Sequence, residues 1–270
     1  MLRQGLKLLR EDRTLLVVAA LGTLLTAAAA VGIFGGAAAA LQLGVTGDDP
    51  GAHHTPFGLV LGIALMFPVT LIATAMNVVL IAIVQARLEG RPMSAGDAAR
   101  FTARRWTAIV GWTLLDVGIG TTLQRLADRL PFGAAVVSMF GAAAWSLASM
   151  FAIPAMVVDG VGPIAATKRS AAVFRARWGE GLSASIQTSG FALAFVLPGF
   201  ILLLIGVAGG FDGAGDVALA LAGAALVAFG IVLGRALQQL AMLAIYRAEV
   251  LGAPTFGLGA GELDGFVALK

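Results

Sequence analysis

Long apolar segments alternate with short basic segments along this chain. Six segments approach or exceed the roughly 20 apolar residues that a helix needs to cross a bilayer. They are Leu15 to Leu43, Phe57 to Ala86, Thr107 to Leu123, Phe132 to Val158, Leu182 to Ala208 and Val217 to Tyr246. This pattern predicts an all-α, polytopic membrane helix bundle with six transmembrane helices, which together form one integral membrane domain over residues 1–270.

The third segment is the shortest, and Asp116 lies within it. It reaches a full span only if the helix continues from Gln124 to Leu130. We keep this segment as a span, because removing it would invert the orientation of every later segment.

The basic residues predict the orientation of the spans. Fifteen of the 18 Lys and Arg residues lie in four stretches, which are the N-terminal segment, residues 87–105, residues 168–177, and Arg247 with Lys270. Lys and Arg concentrate in cytoplasmic loops of membrane proteins, so these stretches, and with them both chain ends, are expected in the cytoplasm. Only Arg125 and Arg129 fall in predicted outer segments. The expected location is the bacterial inner membrane.

Composition supports the membrane class. Hydrophobic residues are 59% of the chain, charged residues are 12%, and the mean hydropathy is +0.93, whereas about 25% of a soluble domain is charged. The basic start followed by an apolar run resembles a secretory signal, but the run is far longer than the roughly 7–15 residues of such a signal. We therefore expect an uncleaved first span.

The net charge of +3 and the pI near 9.9 predict contact with anionic phospholipid headgroups on the cytoplasmic face. A partner membrane protein is a further expected contact. Nucleic acid is not expected, because the basic clusters lie at membrane boundaries and form no separate domain. The absence of cysteine excludes disulfides, thiolate metal sites and a cysteine nucleophile.

The connections after the even-numbered spans resemble one another, which predicts three repeated helix-hairpin units. Each connection has glycine and proline, and two continue into a basic stretch that ends at tryptophan: Gly90-Arg91-Pro92 leads to Trp106, Val161-Gly162-Pro163 leads to Trp178, and Gly252-Ala253-Pro254 follows the sixth span. Glycine is expected to end the span, and proline to begin a short interfacial helix. Tryptophan is expected at the membrane interface. The alternative is that these residue types gather at any cytoplasmic turn.

The residues around the fourth span carry a family resemblance. Ile153-Pro154, Asp159 to Pro163, Ala166 to Ser170 and Phe174 to Gly179 resemble a family of uncharacterised bacterial six-span membrane proteins. That family is distantly similar to the membrane domain of some glycerophosphodiester phosphodiesterases. The resemblance implies an integral inner-membrane protein. It does not imply phosphodiesterase chemistry, which needs clustered His and Glu metal ligands, whereas this chain has two histidines.

The candidate functional residues form two groups. Asp116 and Arg235 are the ionisable residues deep in spans, each roughly 15 Å from the cytoplasmic interface at 1.5 Å per residue, so they could form an intramembrane polar pair. The alternatives for them are a packing contact, a proton or ion relay, and ligand binding by Arg235. The second group is interfacial, and its members are Arg104, Arg105, Trp106, Lys168, Arg169, Arg175, Arg177 and Trp178.

No pattern specifies a reaction or a cofactor. The outer loop from Gly44 to Pro56 holds two aspartates and two histidines, but their spacing organises no metal site, and we expect a solvated loop. A hydrolase is disfavoured because the chain has neither a nucleophile elbow nor a histidine base within a span.

The leading hypothesis is a non-enzymatic inner-membrane protein without cofactor or metal that acts on or through lipids or a partner protein. The alternative hypothesis is a small-molecule or ion transporter or channel with a polar path near Asp116 and Arg235.

Overall fold

All secondary structure in the described part of the chain is helical. The computed structural model describes residues 13–42, 56–128, 134–210 and 213–252. The helices are α1 (Arg13–Gln42), α2 (Pro56–Leu88), α3 (Ala95–Arg104), α4 (Trp106–Asp128), α5 (Ala134–Ser149), α6 (Ala152–Val158), α7 (Pro163–Ala176), α8 (Trp178–Ala208) and α9 (Ala214–Leu251). The N-terminal segment and the outer loop with its two histidines lie almost wholly outside the described residues.

Five of the six predicted spans coincide with helices that are long and apolar enough to cross a membrane. The matching stretches are Thr14–Ile33, Ile63–Leu88, Met139–Val158, Gly181–Ala208 and Ala214–Leu251. The third predicted span lies in α4, which has 23 residues but is less apolar because Asp116 and several threonines interrupt it. Many large apolar side chains on these helices are exposed, as expected of surfaces that face lipid. The structure indicates a helical membrane protein, and the sixth span stays a prediction.

The chain divides into two compact units. One unit holds residues 21–176, where α2 packs against α3, α4 and α6, and α7 packs against α4, α5 and α6. Its core includes Ile81, Ile83 and Phe151, which are almost fully buried. The other unit holds residues 1–20 and 177–270, where α8 and α9 form a tightly packed antiparallel hairpin. The prediction of a single membrane domain stays a prediction.

The predicted glycine turns form, although not all at the expected residue. After α2, Gly90 has a φ of 71°. The N–H of Arg91 donates to the carbonyl of Ala86 and the N–H of Gly90 donates to Arg87, which is the Schellman arrangement. After α6 the left-handed glycine is Gly160, with a φ of 68°, and not Gly162. Gly252, with a φ of 58°, follows α9.

The short helices predicted at the interface also form, and they begin in two different ways. Pro163 begins α7, as predicted. Pro92 does not begin α3: the helix begins at Ala95, and Ser94 caps it by accepting a hydrogen bond from the N–H of Asp97. A serine cap competes well with proline as a helix start because its hydroxyl satisfies an otherwise unpaired N–H. The hydrogen bond that the Ser94 hydroxyl donates lowers the pKa of Asp97.

The three prolines within the predicted spans have different effects. The fourth span is interrupted between α5 and α6, just before Pro154. Proline clashes with the carbonyl four residues earlier and removes one hydrogen bond, and here Ser170 of α7 stabilises the break by accepting a hydrogen bond from the N–H of Phe151 at 2.9 Å. Pro68 and Pro198 lie inside continuous helices.

Candidate functional site

Two tryptophans each begin a long helix directly after a short basic helix. Trp106 begins α4, one residue after α3 ends, and Trp178 begins α8, one residue after α7 ends. Their exposed fractions are 63% and 61%, which suits side chains at the level of lipid headgroups. In both places the residue between the helices is an arginine, Arg105 or Arg177, with non-helical backbone angles. Two of the predicted units share this arrangement, and the threefold repeat stays a prediction.

Arg105 is held in place by contacts within its unit. Its Nη1 donates a hydrogen bond to the carbonyl oxygen of Met156 at 2.6 Å. Its guanidinium carbon lies 4.4 Å from the ring centroid of Phe101. Met156 is in the last turn of α6, where carbonyls have no partner within the helix, so the arginine satisfies an acceptor that the helix leaves open. Arg105 therefore fixes the α3–α4 break against the end of α6.

Gly160 lies against the guanidinium of the same arginine. Its positive φ favours glycine, and a Cβ at this position would lie 3.3 Å from Nη2 of Arg105. Gly162, two residues later, has open space around the position of its Cβ. The turn between α6 and α7 thus has one glycine that the backbone requires and one that leaves room.

Two further arginines of the predicted interfacial group form ion pairs. Arg169 of α7 pairs with Asp159 at the end of α6. In the other unit, Nε of Arg177 lies 2.7 Å from Oε2 of Glu249 in α9. Both pairs are partly buried, so they link helix ends more effectively than a fully exposed pair would. Together with Arg105, these residues have structural contacts.

The other three cations of the group are exposed and have no partner among the described residues. Arg104, Lys168 and Arg175 are exposed, and the described residues offer them no hydrogen bond or ion pair. Their charges are therefore available to ligands from outside the protein. The sequence treats these six basic residues alike. The structure distinguishes three that have partners inside the protein from three that have none among the described residues.

An open cleft lies where the Arg104–Arg105 segment meets the turn after α6. Its volume is about 350 Å³. The lining includes Arg104, Arg105, Thr107, Gly160 and Gly162, with apolar walls from α2, α4 and the end of α6. No acidic residue is among the described residues that line it. Such a cleft favours an anion that also carries apolar surface.

Asp116 has a partner that the sequence did not indicate. Its Oδ1 accepts a hydrogen bond from Nε1 of Trp145 in α5 at 2.7 Å. The indole of Trp145 stacks on that of Trp112, with ring centroids 6.0 Å apart. Arg235 belongs to the other unit and is exposed. The pairing of Asp116 with Arg235 stays a prediction.

Two polar residues within α8 form hydrogen bonds inside their own helix. The hydroxyl of Thr188 donates to the carbonyl of Ala184 at 2.9 Å, and the amide of Gln187 donates to the hydroxyl of Ser183 at 3.2 Å. A hydroxyl four residues from a carbonyl can satisfy itself this way without a partner helix.

These features define a class of protein: a helical membrane protein with basic, tryptophan-flanked turns at the ends of its spans. A family model described as a family of unknown function, DUF6159, matches residues 58–258. Because the match covers most of the 270 residues, the chain belongs to this family. No curated protein and no solved structure matches the chain.

Sequence reasoning missed the contacts that organise the site. Phe101, the carbonyl of Met156 and Glu249 each contact a predicted basic residue, and Thr107 lines the cleft. Phe101 lies in the basic stretch before Trp106, and Gly160 lies in the stretch from Asp159 to Pro163. Their closeness in sequence to basic residues is a signal that could have pointed to these two contacts. The carbonyl of Met156 carries no sequence signal, because every residue has a carbonyl.

Proposed function

We propose that this chain is a non-enzymatic protein of the bacterial inner membrane that binds anionic phospholipids at its cytoplasmic face. The observation that supports this most is the group of free, exposed cations Arg104, Lys168 and Arg175, which lie within three residues of exposed tryptophans or on the adjoining helix α7. Each basic side chain near an anionic membrane surface contributes about 1 kcal/mol of attraction. The proposal includes cytoplasmic N- and C-termini and contact with a partner membrane protein.

The proposal includes α4 as a sixth span. At 1.5 Å per residue, its 23 residues extend about 35 Å, which is enough to cross roughly 30 Å of hydrocarbon. It packs against both α2 and α5, which contribute candidate spans. A less apolar helix is tolerated in a membrane when other helices cover its polar side chains, and Trp145 does so for Asp116.

The test compares two triple variants in liposome flotation with vesicles that contain anionic lipid. Arg104→Gln, Lys168→Gln and Arg175→Gln together remove the free cations, and we expect bound protein to fall at least about tenfold, since about 3 kcal/mol of attraction is lost. The matched control is Arg91→Gln, Arg100→Gln and Arg169→Gln, which removes three cations that pair with Glu89, Asp97 and Asp159.

The control variant should bind better than the first, because each of its cations has an acidic partner within the protein. Equal loss in both variants would mean that only net charge matters, and unchanged binding in the first variant would contradict the proposal. Added salt should weaken wild-type binding, since screening reduces exposed charge interactions.

A transporter or channel is a second candidate, supported by the half-buried carboxylate of Asp116 within a predicted span. Among the described residues, Trp145 donates to Oδ1 only, so Oδ2 is open to a ligand such as a cation. The resemblance to the membrane domain of glycerophosphodiester phosphodiesterases favours neither candidate, because it carries no chemistry to this chain.

A further inference from the structure

We propose that the cleft beside Arg104 and Arg105 is a binding site for one phosphate group, carried by a phospholipid or by a soluble phosphate ester. This inference rests on the proposed binding of anionic lipid and adds a specific site to it. Surface attraction involves many weakly held lipids, whereas a site of about 350 Å³ is within the roughly 300–1,000 Å³ typical of small-molecule pockets.

The donors around the cleft suit phosphate. Arg104, Arg105 and Thr107 line the cleft, and their side chains carry two guanidinium groups and a hydroxyl. Guanidinium presents N–H groups in a planar fork that matches phosphate oxygens. The described lining has no carboxylate, so nothing there repels an anion or competes for the arginines. These donors would recognise phosphate in preference to a cation or a neutral ligand.

Arg105 is already oriented before any ligand binds. Its contacts with the Met156 carbonyl and the Phe101 ring restrict the guanidinium, so less conformational entropy is lost on binding. Close to the cleft, α4 and α7 pack tightly where Gly111 faces Pro163, the residue after the lining Gly162: a Cβ on Gly111 would lie 3.1 Å from Cγ of Pro163. Arg104, which has no partner among the described residues, can then close on the same anion.

The apolar walls of the cleft suit a ligand that carries hydrocarbon as well as phosphate. Val78, Ile109, Met156, Val157 and Val161 line it next to the arginines. A phosphate with attached hydrocarbon would place its charge against the guanidinium groups and its carbon atoms against these side chains. The phosphate is the feature common to both sources, and the experiment separates them.

The experiment titrates detergent-solubilised full-length protein by calorimetry with dihexanoyl phosphatidic acid and, separately, with glycerol 3-phosphate. The main variant is Gly162→Leu, which adds a side chain where the cleft wall has open space and changes no charge. Its matched control is Gly96→Leu in α3, outside the cleft lining. A second variant, Arg104→Gln, changes an exposed side chain and leaves the packing intact.

We expect saturable binding that weakens at least about tenfold in Gly162→Leu and in Arg104→Gln and stays unchanged in Gly96→Leu. Tighter binding of dihexanoyl phosphatidic acid identifies a lipid as the ligand, and equal binding of glycerol 3-phosphate identifies a soluble ester. Absence of saturable binding, or equal constants for Gly162→Leu and Gly96→Leu, would overturn the site.

Flotation of the same Gly162→Leu protein separates this inference from the proposed function. All free cations remain in that variant, so it should still float with anionic vesicles. Normal flotation with no saturable titration in the wild type would refute the cleft and leave surface lipid binding in place. Loss of flotation in the triple variant is the separate test of the proposed function.

Discussion

Arg104 and Arg105 are neighbours in sequence with different surroundings. Arg105 donates to a backbone carbonyl and covers an aromatic ring, whereas Arg104 is exposed and has no partner among the described residues. Removing Arg105 would leave the Met156 carbonyl unpaired, so a loss of lipid binding in an Arg105 variant could come from local unfolding. Arg104 is the better residue for testing ligand binding.

The hydrogen bond that Asp116 accepts from Trp145 can be kept or removed by the choice of substitution, so its contribution to stability can be measured. In Asp116→Asn the amide oxygen can still accept from Trp145, so the unfolding temperature in detergent should remain near that of the wild type. In Asp116→Leu the half-buried indole N–H loses its acceptor, and the free energy of unfolding should fall by about 1–2 kcal/mol. Thermal unfolding followed by circular dichroism measures both.

The Asp116→Asn protein also separates the two candidate functions. If it unfolds like the wild type and shows a changed proton or ion flux in proteoliposomes, the transport alternative gains support. If both Asp116 variants are equally destabilised, the Trp145 hydrogen bond needs the negative charge, and the carboxylate has a structural role that an amide cannot fill.

At the scale of helices, glycine determines how closely α8 and α9 approach. A Cβ on Gly223 would overlap the backbone of Leu203 and Gly199, and a Cβ on Gly206 would overlap the backbone of Ala220. Helices in lipid associate through such close backbone contact, because lipid offers no hydrophobic driving force between them. Gly118 and Gly120 of α4, in contrast, have open space around them.

We therefore expect Gly223→Ala to destabilise the α8–α9 hairpin by about 1–3 kcal/mol, since the backbones must separate to admit a methyl group. Gly190→Ala, also on this hairpin, is the matched control, because no atom lies within 4 Å of the added Cβ. Alanine is the better helix former by about 1 kcal/mol, so the control should be as stable as the wild type or more so. Thermal unfolding in detergent would show opposite shifts, and similar shifts would refute the packing argument.

At the scale of the whole molecule, the number of spans determines which turns face the cytoplasm. Because the chain has no cysteine, single cysteines can report topology without further changes. We choose Ala99 in α3, Ala172 in α7 and Ala214 at the start of α9, all of which are exposed. With six spans, only Ala214→Cys should react with an impermeant maleimide added to intact spheroplasts.

Five spans would give the reverse result at two of these positions. If α4 did not cross, residue 172 would lie outside and residue 214 inside, so labelling of Ala172→Cys from outside would contradict the proposed topology. Ala99→Cys is the internal control, because both topologies place it on the same side. Labelling after permeabilisation confirms that each cysteine is reactive.

The sequence by itself determined the class of the protein and most of its helices. Runs of apolar residues can satisfy their backbone groups in lipid only as helices, and five of the six predicted spans were confirmed as long apolar helices. Glycine, proline and tryptophan placed the turns to within a few residues, since each acts through its own backbone or side chain. The third span was the weakest prediction because it contains polar side chains. Such side chains are tolerated in lipid only where neighbouring helices cover them, and the sequence does not show those neighbours.

Only the tertiary structure decided which of several similar residues has which partner. It placed Trp145 beside Asp116, assigned Arg105, Arg169 and Arg177 to contacts within the protein, and left Arg104 free. These outcomes depend on atoms distant in sequence, such as the Met156 carbonyl, 51 residues from Arg105. Sequence patterns report local backbone preference and exposure to lipid, whereas the partner of a charged group is set by the packing of helices against one another.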